Sequence, residues 1–174
     1  MDSINITVAA QLKKARSDKG WSLDVASQHC DVSKAMLGQI ERGESSPTIA
    51  RLWKIATGFK LPLSYFLGQQ DSKKSNEPKC DEVHIETVFE YEPDTRMEMF
   101  ALHLPVGYEQ YSDPHQTGVT EHIVVVKGSI QYFVDDQWKT LNVGEKVKFA
   151  ADKQHGYRNA GEAVAEFFNI IHYI

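Results

Sequence analysis

Hydrophobic positions recur along this 174-residue chain with two different periods. In the first part they fall three and four apart, the spacing that gathers side chains on one face of an α-helix. Val8, Leu12 and Ala15 make one such stripe, and the run WSLDVASQHCDV after it predicts a second helix. From Ser33 onward, Leu37, Ile40 and Glu41 share one face of a third helix. Ala35, Gly38, Gln39 and Arg42 fall on the other, with Lys34 beside Gly38. Ile49, Leu52, Trp53, Ala56 and Phe59 predict a fourth, with Ser46 as its cap, Pro47 at its first position and Gly58 at its end. Leu61-Pro62 starts a short fifth carrying Leu63, Phe66 and Leu67. Ser22 and Ser33 suit the N-caps of the second and third helices.

From Glu82 on the period is two. Val83, Ile85, Thr87 and Phe89 alternate with His84, Glu86 and Glu90, and Lys146-Val147-Lys148-Phe149 repeats the pattern. Turn residues recur at 92–94, 127–128, 135–136, 142–144 and 159–161. Short strands at such spacing indicate an all-β barrel or sandwich. Between the two patterns lies QQDSKKSNEPKC, polar and without a large apolar residue, which is the composition of a linker. The expected organisation is an all-helical domain of five helices over 1–68, a linker over 69–80, and an all-β domain over 81–174.

Charge follows the same division. Residues 1–68 hold nine Lys/Arg against six Asp/Glu, whereas residues 69–174 hold ten against eighteen, within a chain of net charge −5. The two cysteines, Cys30 and Cys80, stand alone in different segments and make neither metal spacing nor a convincing disulfide. The first residues lack the basic start and apolar stretch of a signal peptide, and no apolar run reaches membrane-spanning length. The expectation is a soluble, cytoplasmic protein with no membrane partner.

The third helix carries the most chemistry. Its Leu/Ile face is apolar except for Glu41, and a carboxylate facing an interior needs a partner. Arg16, bordering the stripe of the first helix, is the expected structural ion-pair partner of Glu41. The opposite face is small and polar. Lys34 and Gln39 suit guanine and adenine edges, and Ala35 or Met36 suits a thymine methyl in the major groove, which admits one α-helix. Gly38 inside a helix costs roughly 1 kcal/mol relative to Ala, which suggests close approach of something to the backbone there.

These residues resemble a known family. R-S-D-K-G-W-S-L before the second helix, V-S-K-A-M-L-G-Q-I-E-R-G across the third, and S-P-T-I-A-R-L-W-K-I-A after it are similar to the five-helix DNA-binding domain of phage repressors and Xre-type bacterial regulators. The resemblance implies that Lys34, Ala35, Met36 and Gln39 read bases and that Arg42 touches backbone phosphate; Ser22 and Ser33 join the DNA-contact candidates because the helix N-termini they cap can hold a phosphate. Two positions depart from the family: Ser27 where a small residue is usual, and Asp31 where the turn usually has glycine. Asp tolerates the left-handed conformation of such a turn. The partner implied is a double-stranded DNA operator, and the net of +3 on residues 1–68 is a weak footprint for one copy. A homodimer is expected.

Six of the seven histidines lie in the second half. His115 in a loop, Glu121-His122 at the start of an apolar strand, and His155 after another strand occupy positions that can converge on the mouth of a barrel. The arrangement resembles the cupin family, with P-V-G at 105–107, His115, Glu121 and V-V-V-K-G ending at Gly128, then Gly144, His155 and Asn159. Metal-binding cupins usually carry two histidines one residue apart in the first motif, and here Pro114 and Gln116 flank a single His115. By analogy His115, Glu121 and His155 would hold a divalent metal such as Zn²⁺, with His122 as substitute for Glu121, since neighbouring strand residues face opposite ways. The alternative is a metal-free polar pocket. His115, Glu121, His122, His155, Tyr108 and Tyr157 are the effector-binding candidates, with Arg158 as a further contact.

Two functions follow from these resemblances. One is a DNA-binding transcriptional regulator, not an enzyme, whose cupin domain senses a small-molecule effector such as an amino acid or related metabolite. The other is a metal-dependent cupin enzyme fused to a DNA-binding domain.

Overall fold

The computed structural model describes residues 3–68 and 83–174; the expected linker over 69–80 lies outside them. The chain divides into two units, Met1–Gln70 and Asp71–Ile174. Among the described residues the first unit has five helices: α1 (Ser3–Asp18), α2 (Leu23–Cys30), α3 (Lys34–Glu41), α4 (Ile49–Phe59) and α5 (Leu63–Leu67). Their apolar stripes meet in one core, in which Leu12, Leu37, Ile40, Ile55, Phe59 and Phe66 are fully buried. The Ser22 and Ser33 hydroxyls accept from the Val25 and Met36 amides at 3.2 and 3.3 Å, closing the first turns of α2 and α3. Asp31 takes the left-handed conformation (φ 51°) in the turn between them.

Two boundaries of α4 differ from the sequence expectation. Thr48, not Ser46, is the N-cap, because its hydroxyl is the one that reaches an open first-turn amide, that of Arg51, at 3.3 Å. Pro47 therefore precedes the helix. At the other end Lys60 supplies the left-handed residue (φ 55°), and Gly58 lies inside the helix. A Cβ on Gly58 would sit 2.6 Å from the His29 carbonyl oxygen and 2.7 Å from Cys30 Cα, so this glycine sets how closely α2 and α4 cross. Cys30 is buried at that crossing, and burial pushes its thiol pKa up to about 12.

The second unit has nine strands among its described residues: β1 (His84–Glu92), β2 (Met97–Leu104), β3 (Glu109–Ser112), β4 (Thr120–Lys127), β5 (Ser129–Val134), β6 (Gln137–Asn142), β7 (Lys146–Ala150), β8 (His155–Arg158) and β9 (Ala165–His172). They form a five-stranded sheet in the order β1-β2-β9-β4-β7 and a four-stranded sheet in the order β3-β8-β5-β6, with every pair antiparallel. The inner faces look at one another. Glu121, Ile123 and Val125 of β4 and Phe167, Asn169 and Ile171 of β9 are buried on one side. Tyr132 of β5 and His155 and Tyr157 of β8 are buried on the other, and the Tyr157 and Phe167 rings lie 5.3 Å apart across the gap.

One strand breaks its expected alternation. Register shifts on either side of Phe89 interrupt β1, and Phe89 pairs with Met99 on the outer side of the sheet, where it is 66% exposed. An extra residue in one strand turns every later side chain over, so the inward run of Ile85 and Thr87 does not continue to Phe89.

Candidate functional site

On α3 the two faces separate by burial. Leu37 and Ile40 are buried, whereas Lys34, Ala35, Gln39 and Arg42 are exposed and Met36 is half-buried, its sulfur 3.7 Å from the Ser45 hydroxyl. The helix is tied to α1 by a two-pronged pair. Arg16 Nε donates to Glu41 Oε1 at 2.6 Å and its Nη2 to Oε2 at 2.9 Å, while Nη1 donates to the Trp21 carbonyl at 2.9 Å. The side chains are only 19% and 8% exposed, so the fork geometry holds a carboxylate that would otherwise sit unpaired at the edge of the core.

Gly38 lies on the buried side. A Cβ there would be 3.7 Å from Leu23 of α2 and 3.1 Å from the Arg42 guanidinium, so the close approach anticipated at this glycine is made by the protein itself. Lys34 Nζ lies 2.7 Å from Asp24 Oδ2, and Arg42 makes a two-pronged contact with Glu44 at 2.7 and 2.8 Å. These pairs are exposed and worth little; water, salt or a phosphate can replace the carboxylate.

Beside the start of α3 opens a groove lined by Val32, Ser33, Met36, Thr48, Arg51 and Lys54. Sequence reading missed Arg51 and Lys54 because α4 was read only for its apolar stripe. Their spacing of three, which puts both cations on one side of the helix, was the available signal.

The β unit gathers a second group. His115, Glu121 and His155 are all buried, and one ligand atom from each lies within 4.8 Å of the others. Glu121 Oε1 is 3.0 Å from His115 Nε2 and 3.3 Å from His155 Nε2. Its other oxygen accepts from the Tyr157 hydroxyl and, at 2.9 Å, from Asn169 Nδ2. Burial alone would raise the Glu121 pKa, but the two imidazoles outweigh it and hold the carboxyl well below its usual range. Burial likewise works against a charged His155, yet the Glu121 carboxylate prevails and raises its pKa. Burial first, and then the same carboxylate, push the Tyr157 hydroxyl well above its ordinary value.

The tautomer of His155 tests whether a cation fits. Its Nδ1–H donates to the Lys153 carbonyl at 2.9 Å, so in the neutral ring Nε2 carries a bare lone pair. That lone pair is buried, makes no hydrogen bond of acceptable geometry, and faces a carboxylate oxygen 3.3 Å away. Two acceptors at that distance repel unless a proton or a metal ion lies between them. Two imidazole nitrogens and a carboxylate oxygen, with a backbone carbonyl fixing one ring from behind, are a donor set suited to Zn²⁺ or a similar ion.

Three candidates do not join this group. His122 lies on the opposite face of β4 from Glu121, beside Thr120 (3.4 Å) and paired across to Lys148, so it cannot substitute for Glu121. The Tyr108 hydroxyl donates to Gln110, not to the cluster. Arg158 faces away from His155 and Tyr157, its guanidinium 4.3 Å above the Trp138 ring and its Nε donating to Gln131 at 2.6 Å. Asn159 is occupied structurally, donating to the Leu104 and Ala163 carbonyls at 2.9 and 2.8 Å. Asn169 was not anticipated. Alternation along AEFFNIIH puts it in register with Phe167 and Ile171, and a polar side chain in a buried stripe was the missed sign.

Comparison with known proteins accords with this geometry. Residues 12–66 match the helix-turn-helix family and residues 100–171 the cupin domain family. The chain is 44% identical over 175 residues to the HTH-type transcriptional regulator SutR of Escherichia coli (strain K12), across 99% of this chain and 98% of that protein. A crystal structure of an HTH_3 family transcriptional regulator from Vibrio cholerae superposes with a TM-score of 0.87 at 44% identity, covering 98% of this chain and 97% of that one. The crystal structure of the cupin domain of an XRE family transcriptional regulator from Enterobacter cloacae has a TM-score of 0.52 at 34% identity, covering 53% of this chain and 97% of that domain. The chain therefore belongs to the HTH-type transcriptional regulators in which a helix-turn-helix domain is followed by a cupin domain.

Proposed function

We propose that this regulator binds a double-stranded DNA operator as a homodimer and that its cupin barrel senses a small-molecule effector, catalysing no reaction of its own. The observation that carries the DNA half is the polarity of α3: Leu37 and Ile40 are buried, and Arg16 pins Glu41, while Lys34, Ala35 and Gln39 face outward. Lys34, Ala35, Met36 and Gln39 meet base edges in the major groove. Arg42, with Arg51 and Lys54 beside the start of α3, meets phosphates. The Ser22 and Ser33 hydroxyls hold the starts of α2 and α3 in the posture that brings backbone amides to the phosphate chain.

In the cupin domain His115, Glu121 and His155 hold a divalent ion, and Tyr157 and Asn169 keep one Glu121 oxygen turned away from it. When bound, the ion supplies a Lewis-acidic position at which an oxygen or nitrogen of an amino acid or related metabolite can bind. Effector binding shifts the population of dimer geometries, and it does so only as far as it favours one of them over the other.

Selection from random duplex DNA tests the first half. The wild-type chain should enrich a two-fold-symmetric site with half-site centres about 34 Å apart; no enrichment of any sequence would remove the operator. Titration with Zn²⁺ tests the second. One ion per chain should bind, and His155→Ala should abolish binding without unfolding the helical unit; unchanged stoichiometry in that variant would refute the ligand set.

A further inference from the structure

The five-stranded sheet has an outer face that the operator and effector readings leave unused. Strand register lays its side chains out in rows. One row runs Glu86, Ala101, Phe168, Val124 and Lys146 across β1-β2-β9-β4-β7. The next runs Phe89, Met99, Ile170, His122 and Lys148. Both rows lie opposite the face that carries Glu121 and Asn169. Their middles are apolar and incompletely covered: Met99, Phe168, Ile170 and Val124 are half-buried, and Phe89 at one end is 66% exposed.

Charge is sorted along these rows. The β1 edge carries Glu86, and the β7 edge carries Lys146 and Lys148. Among the described residues, no ion pair joins Glu86 or Lys146 to a neighbour. The strand at the centre of the sheet, β9, puts Phe168 and Ile170 between those edges.

Such a surface is complementary to itself in one orientation. A two-fold axis lying in the face and parallel to β9 carries the β1 edge of one copy over the β7 edge of the other. Glu86 then opposes Lys146 of the second copy, Phe89 opposes the Lys148 stem, and Phe168 and Ile170 meet their own counterparts. An axis across the strands would instead stack Glu86 on Glu86 and lysine on lysine. Isologous interfaces are built from one patch used twice in this way, with an apolar centre and a charged rim. A stable interface uses about 20–30 residues a side, and a face five strands wide with its fringing loops offers a number of that order.

We propose that a second copy of this chain covers the outer face of the β1-β2-β9-β4-β7 sheet, with the two-fold axis parallel to β9 and Glu86 of each copy paired with Lys146 of the other. The proposal rests on the homodimer of the preceding section and identifies the surface that makes it.

Sedimentation equilibrium of the full-length chain tests it, with circular dichroism of each variant as a check on folding. The wild type should be dimeric. Ile170→Glu, which places a carboxylate at the centre, should give monomers with an unchanged spectrum. Glu86→Lys and Lys146→Glu should each weaken the dimer roughly tenfold by opposing like charges, and the double variant should regain most of the loss. Thr140→Glu, on the exposed part of the other sheet, should have no effect.

A monomeric wild type, a dimer indifferent to Ile170→Glu, or singles whose losses merely add in the double variant would each overturn the proposal. If another protein normally covers this face, the purified wild-type chain will be monomeric, and the second copy is excluded. Sequence selection by the same preparations keeps the operator reading separate. A dimer that enriches no DNA sequence refutes that reading alone, whereas a sequence-selective chain whose dimer ignores these substitutions refutes this interface alone.

Discussion

Lys34 on α3 and Arg42 at its C-cap hold their carboxylate partners in open water, whereas Glu121 in the cupin domain is locked among His115, His155, Tyr157 and Asn169 with 1% of its surface exposed. Both places concentrate charge, but the physical regimes are opposite. An exposed pair exchanges its partner for another anion at little loss. A buried carboxylate is held at its position by every neighbour that satisfies it, and removal of one member leaves the others stranded. A surface that must meet an outside polyanion suits the first regime, and a cavity that must present fixed donor atoms suits the second.

Substitution of Glu121 gives the sharpest contrast. Glu121→Ala should destabilise the metal-free protein by about 3–5 kcal/mol, the usual effect of breaking a buried charged pair. Lys34→Ala should leave the urea midpoint within experimental error. Similar midpoints for the two variants would erase the distinction between the regimes. On the DNA side, Gln39→Ala should weaken operator binding by about 1–3 kcal/mol and relax preference at one base position only. A competition assay against base-substituted operators reads this, and equal loss on all sequences would remove Gln39 from base reading.

The pH dependence of stability separates a proton from a metal in the buried cluster. Because the folded pKa of His155 is raised, its attraction to Glu121 is fully present below the ordinary imidazole value of 6.5 and is lost as pH rises through the raised value. Because the folded pKa of Glu121 is depressed, its contribution is present above the ordinary 4.5 and is lost as pH falls through the lower value. Metal-free protein should therefore pass through a stability maximum between these limits. With Zn²⁺ the alkaline side should rise most and the acid side least, since ion and proton compete for the same lone pairs and bound ion adds stability only where it displaces the proton. Thermal melts with and without chelator measure this, and superimposable curves would exclude an ion at this cluster. The smallest effect belongs to Arg42→Ala, which should weaken binding uniformly across sequences and lower the slope of log K against log salt by about one. A sequence-dependent loss would move Arg42 from phosphate to base contact.

The division of the chain was legible because the hydrophobic period changes from 3.6 to 2, and the faces of α3 because Leu37 and Ile40 recur at helical spacing. The meeting of His115, Glu121 and His155 came from a resemblance, not from periodicity. What stayed hidden depends on single local geometries. Thr48 rather than Ser46 caps α4 because one hydroxyl reaches one amide. Gly58 is set by the crossing of α2 and α4, which linear spacing does not reveal. Phe89 faces outward because a bulge adds one residue to β1, and nothing in the alternation announces it. Asn169, by contrast, was signalled by a polar residue in the buried stripe of AEFFNIIH; only its partner, Glu121 on the neighbouring strand, needed the fold.

The close crossing that Gly58 permits also decides how the DNA-reading head meets oxidants. Cys30 lies inside that contact, and with its acidity suppressed to about 12 it carries essentially no thiolate near neutral pH. Peroxide and disulfide reagents act on thiolates, so this thiol is inert while α2 and α4 stay together. Operator recognition should accordingly be indifferent to redox stress through this residue.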